Sequence, residues 1–168
     1  MENWIKNNNK LLKFSFFALW ICNTIILYLN MENKEGQLVK QISGLEISQQ
    51  QIGLFKILTL VINTIMTAIL IIIIYMILRW IFFKFYDKED KKIVFSSMFF
   101  LNVGTKFLLF LMTSTLNNLF NVSSKNLSVI NAILFFIFSL ILNTVIFKRL
   151  KIRKFYMLAI AFLICLII

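Results

Sequence analysis

Residues 57–78 read ILTLVINTIMTAILIIIIYMIL, twenty-two positions without a charge, a proline or a glycine. At about 1.5 Å of rise per residue the stretch measures roughly 33 Å as a helix, enough to cross a hydrocarbon layer of ~30 Å with a small tilt. Its fourteen Ile, Leu and Val residues each favour insertion by roughly 0.3 to 0.6 kcal/mol, which outweighs the burden of Asn63 and the threonines. Burial in a soluble domain would need apolar neighbours around the whole circumference of the helix, more than a chain of 168 residues readily supplies. The stretch is therefore read as a membrane span.

The rest of the chain agrees with that reading. It is 60% hydrophobic, with mean hydropathy +0.86, and its charges fall in a few short segments. The expected fold is all-α: a polytopic membrane protein of one integral membrane domain, 1–168, with five transmembrane helices. A net charge of +11 would point to nucleic acid in a soluble protein. Here the Lys and Arg flank apolar spans, where they set orientation and meet anionic headgroups, so no nucleic-acid partner is expected. The abundance of Ile, Phe, Lys and Asn, without His or Pro, reads as drift of an AT-rich genome rather than a chemical requirement. Cys22 and Cys165 both lie in apolar stretches and are read as small hydrophobes, not as a disulfide. The first apolar run lacks a small-residue cleavage site and is expected to stay as the first span.

The expected spans are 11–29, 57–78, 93–113, 129–147 and 155–168. Residues 1–10 read as a short polar tail, and 30–56 as the longest polar connection. Within that connection Leu38, Ile42 and Leu45 carry the spacing of a short interfacial helix, with an irregular exposed loop as the equal alternative. Asp87–Lys92 reads as a compact charged turn and 114–128 as a polar loop. The last apolar stretch has fourteen residues, roughly 21 Å as a helix. It spans by thinning the bilayer or by snorkelling of Arg153 and Lys154, the alternative being a re-entrant or half-inserted helix.

Lys and Arg alone give the orientation. The tail through Lys13 has three, the 79–92 segment five and the 148–154 segment five, against three between 30 and 56 and one, Lys125, between 114 and 128. The N-terminus and both basic turns are thus expected in the cytoplasm. Asn121 and Asn126 each begin an Asn-x-Ser pattern in the expected outer loop, a match that an Asn- and Ser-rich segment produces by chance.

Few residues offer chemistry. No Asp or Glu falls in an expected span and the chain has no His, so metal ligation, activation of a serine by a base and carboxylate-coupled transport all lack their usual groups. No catalytic residue, cofactor or metal is expected. Lys106 is the one charge inside a span, about 10 Å from the outer end of the third, and Asn23 and Asn63 sit at a similar depth by helical rise. The sharper reading is an outward polar pocket formed by Asn23, Asn63 and Lys106. The plainer one is that Lys106 snorkels and each asparagine bonds a neighbouring helix. Gly104 beside Thr105 reads as a place of close helix approach. Lys148, Arg149, Lys151, Arg153 and Lys154 form a candidate anionic-lipid contact, or simply the positive signal that fixes the last hairpin.

Three stretches carry a resemblance: RWIFFKFYDKEDKK (79–92), IVFSSMFFLNVGTKFLLF (93–110) and NAILFFIFSLILNTVIFKRLKIRKFYMLAIAF (131–162). From Ile52 onward this layout resembles the membrane domain of the Ypt/Rab-interacting (YIP) family, which has five closely spaced spans and a cytoplasmic N-terminus. Asn102, Val103 and Gly104 stand where that family has Gly-Tyr, and the resemblance carries over no functional residue. It implies a bacterial-type integral membrane protein of undefined role. With the catalytic groups missing, the expected role is that of a non-enzymatic, multi-pass plasma-membrane protein, with the bilayer, other membrane proteins or further copies of itself as partners. The other reading is a toxin self-immunity factor or an accessory subunit of a transporter, whose outer loops and Lys106 region meet the toxin or permease.

Overall fold

The computed structural model describes residues 2–33, 49–120, 124–152 and 154–167, and the fold is all-α. A short helix α1 (Glu2–Asn7) is followed by five longer ones: α2 (Asn9–Asn33), α3 (Gln49–Phe85), α4 (Lys91–Phe120), α5 (Ser124–Arg149) and α6 (Phe155–Ile167). Four of them, α2 to α5, are long and apolar enough to cross a membrane, and α6 is a shorter apolar helix. The interfacial-helix reading of Leu38, Ile42 and Leu45 lies outside the described residues.

Helices α2 to α5 each run past the expected span, whereas α6 ends within its own, and several segments read as non-helical need correction. The connection read over 30–56 is helical at 30–33 and 49–56. Residues 2–7 and 9–10 are helical rather than a tail, and α1 packs on α4. The polar segment 114–128 is helical at 114–120 and again at 124–128. The hydroxyls are accommodated within the helix, each turned back on a carbonyl of the preceding turn: Thr113 Oγ1 donates to Leu109 O at 2.9 Å and Thr115 Oγ1 to Leu111 O at 2.8 Å. The charged turn is shorter than expected, since α3 ends at Phe85 and α4 begins at Lys91.

Helix α4 is the hub, packing most extensively on α2 and also touching α1, α3 and α5. Side-chain contacts give the directions. Lys13 lies over the Phe100 ring and Leu19 lies nearest the Cβ position of Gly104, so α2 and α4 run parallel. Tyr75 meets Phe99 and Phe82 meets Phe95, so α3 is antiparallel to α4. Lys106 meets Phe135 and Asn102 meets Asn143, so α5 is antiparallel to α4 as well.

The core closes on four fully buried phenylalanines, one from each of α3, α4, α5 and α6. Phe82 and Phe95 have ring centres 5.5 Å apart, Phe95 and Phe162 6.2 Å, Phe162 and Phe147 5.3 Å, and Phe147 and Phe82 6.4 Å. Tilted and edge-on pairs at these separations each add roughly 0.5 to 1.5 kcal/mol beyond area burial. The cycle ties the short α6 into the bundle and brings the α3–α4 and α5–α6 turns to one end.

Helix α3, 37 residues and therefore roughly 55 Å long, presents only a narrow stripe to its neighbours. Thr64, Ala68, Ile71, Tyr75, Leu78 and Phe82 repeat at spacings of four and three and are the less exposed positions, with Leu78 and Phe82 fully buried. Ile65, Ile69, Ile72 and Met76 between them are about half exposed. An apolar outer surface around a core that contains asparagine and serine is the reverse of a water-soluble fold and is compatible with lipid surroundings.

Candidate functional site

The polar centre of the molecule lies between α4 and α5, two turns from Phe95 on α4 and one turn from Phe147 on α5. Asn102 is 1% exposed, Ser139 1% and Asn143 0%. Asn102 Nδ2 donates to Asn143 Oδ1 at 3.0 Å, and Asn143 Nδ2 donates back to Asn102 Oδ1 at 3.0 Å. Asn102 Nδ2 also donates to its own helix at Met98 O, 2.9 Å away. Ser139 Oγ donates to Asn102 Oδ1 at 3.1 Å and accepts from Asn143 Nδ2 at 3.1 Å.

Both N–H donors and both oxygen lone pairs of Asn102 are used, as are both donors of Asn143. The network is neutral and closed. Ser139 donates to an amide oxygen, not to a base, so nothing activates it as a nucleophile. The arrangement fixes the rotation and depth of α4 against α5, and its chemistry is that of a lock.

Hydropathy and charge do not single out this trio in the sequence. One signal was present: Ser139 and Asn143, four apart, share a face of one helix. Their partner on α4 depends on how the two helices are rotated, which hydropathy does not encode.

The three residues expected in an outward pocket lie in three settings. Asn23 is buried on α2, and its Oδ1 has no hydrogen-bond partner among the described residues. Asn63 is exposed on α3. Lys106, one turn beyond Asn102 on the same face of α4, holds its ammonium 5.7 Å from the centre of the Phe135 ring. Since Gly104 faces Leu19 of α2, Lys106 is turned about 200° away from that helix. Ser97, fully buried on α4, also has an Oγ without a partner among the described residues.

Gly104 does not mark a tight crossing. A Cβ placed there would meet Leu19 Cδ1 at 3.8 Å, an ordinary van der Waals contact. Cys22 is a free, exposed thiol.

The basic cluster sits on the α5–α6 turn. Lys148, Arg149, Lys151 and Lys154 are exposed, and Leu150 and Ile152 between them are buried at 4% and 5% exposure. Arg153 lies outside the described residues. No family model, curated protein or solved structure matches the chain.

Proposed function

We propose that the protein is a multi-pass component of the plasma membrane, in which α2 to α6 make five crossings, with the N-terminus and both basic turns in the cytoplasm. Its role is non-enzymatic: it binds other membrane proteins, further copies of itself or lipid through its helices. The observation that supports this most directly is the surface of α3. A 37-residue helix engages its own bundle through one stripe and leaves apolar side chains such as Ile65, Ile72 and Met76 facing outward over most of its circumference.

The buried Asn102–Asn143 pair supports the same reading, because rigid helices present a fixed outer surface to a partner. Helix α6 crosses as a short span: its thirteen residues measure roughly 20 Å, so the bilayer thins around it or Lys154 snorkels. The layout resemblance to the YIP membrane domain fits a membrane-organising role of this kind.

Crosslinking in the cell, followed by purification in mild detergent, tests the proposal. Recovery of a membrane-protein partner in fixed stoichiometry, a defined self-oligomer or bound lipid is the expected result. A monomer free of lipid and partner, or one that processes a membrane substrate in isolation, contradicts it.

A further inference from the structure

The two basic turns meet at one end of the bundle because the Phe82, Phe95, Phe147 and Phe162 cycle draws the C-terminal ends of α3 and α5 together. Their cations are used differently. At the α3–α4 turn Arg79 and Lys91 flank the Phe83 ring at 5.2 and 5.5 Å, and Lys84 lies 5.7 Å from the Trp80 ring. Lys91 also pairs with Asp87 at 3.2 Å. At the α5–α6 turn the exposed Lys148, Arg149, Lys151 and Lys154 engage neither a carboxylate nor an aromatic ring among the described residues.

The backbone of that second turn is built with lysine where glycine fits better. Ile152 N–H donates to Phe147 O at 3.3 Å and Lys151 N–H to Lys148 O at 3.1 Å, the paired bonds of a Schellman helix ending. Lys151 occupies its left-handed position at φ 54°, and Lys154, which opens α6, has φ 60°. A side chain is strained in this region and glycine is not. Buried Leu150 and Ile152 clamp the turn on either side of Lys151. Two strained lysines on a clamped turn point to a use for their charge.

We propose that the α5–α6 turn binds the phosphate of an anionic lipid headgroup, held by Lys148, Arg149, Lys151 and Lys154. A lipid is the occupant because exposed apolar side chains of the same hairpin, Ile141 on α5 and Met157, Ile160 and Ile164 on α6, lead away from the cations along the two helices. Cation and apolar flank together match a headgroup and its acyl chains, where a soluble anion needs only the cations. The inference rests on the membrane placement proposed above and names the lipid class for it.

The test is native mass spectrometry of the full-length protein in detergent, with phosphatidylglycerol or phosphatidylcholine added at defined ratios. The informative variant is K151G/K154G, which removes two charges while supplying the residue that the backbone favours; K151R/K154R keeps the charges. The wild type and K151R/K154R retain phosphatidylglycerol over phosphatidylcholine. K151G/K154G, as thermally stable as the wild type, binds phosphatidylglycerol more weakly by on the order of ten-fold. K148Q/R149Q, on the end of α5, weakens it similarly and covers the case in which the glycine variant misfolds.

Equal phosphatidylglycerol retention by wild type and variants overturns the proposal. So does protection of the lipid-free protein by millimolar inorganic phosphate equal to that given by the lipid, which makes the site one for a free anion. Failure of the membrane placement is seen separately, as release of the protein from membranes by alkaline extraction.

Discussion

The side-chain amides of Asn102 and Asn143 face one another across the α4–α5 interface and exchange two hydrogen bonds of 3.0 Å, with neither residue more than 1% exposed. Removing one amide leaves the other buried without its partner, which costs roughly 1 to 3 kcal/mol. N102A and N143A are each expected to destabilise by about that amount. The double variant loses less than the sum of the two, with a coupling of about 1 kcal/mol. A double-mutant cycle from reversible unfolding in mixed micelles checks this, and strictly additive losses would mean that the pair does not couple.

Ser97 has the opposite prospect. Its hydroxyl is fully buried and unpartnered among the described residues, so deleting it removes a desolvated polar group at little loss of packing. S97A is expected to raise stability by about 1 kcal/mol. A lower unfolding midpoint for S97A would reveal a hydrogen bond that this geometry lacks.

Gly104 gives a paired expectation. Room for a Cβ at 3.8 Å from Leu19 makes G104A stabilising by roughly 0.5 to 1 kcal/mol through reduced backbone freedom in the unfolded chain. G104I overfills the same space and costs about 1 to 3 kcal/mol. Destabilisation by alanine, measured in the same unfolding assay, would restore the close-crossing reading.

The aromatic cycle holds α6. F147A and F162A each remove a fully buried ring that touches two others, and each is expected to cost about 3 to 5 kcal/mol. F138A, on the exposed side of α5, changes stability by well under 1 kcal/mol. Similar losses at positions 138 and 162 would show that α6 is not packed through the cycle.

Hydropathy made the apolar helices legible because a charge-free run such as 57–78 has few other solutions. It misplaced their ends wherever polar residues continue a helix, as at Thr113 and Thr115, whose hydroxyls bond back to the preceding turn. It also assigned interest by charge and depth, and so selected Lys106, Asn23 and Asn63. The closed network instead joins Asn102, Ser139 and Asn143, whose meeting depends on the rotation of α4 against α5. The left-handed lysines of the α5–α6 turn were illegible for a related reason: Lys151 and Lys154 do not advertise a positive φ as glycine does, and only the backbone shows it.

The central claim is that both basic turns lie on one side of a membrane and the α4–α5 connection on the other. Single cysteines at Glu89, Lys151 and Lys125, in a background with Cys22 and Cys165 replaced by serine, test it with a membrane-impermeant maleimide applied to intact and then permeabilised cells. The account predicts labelling at position 125 in intact cells and at positions 89 and 151 only after permeabilisation. Labelling of positions 89 and 151 from opposite sides, or of all three equally in intact cells, would contradict it.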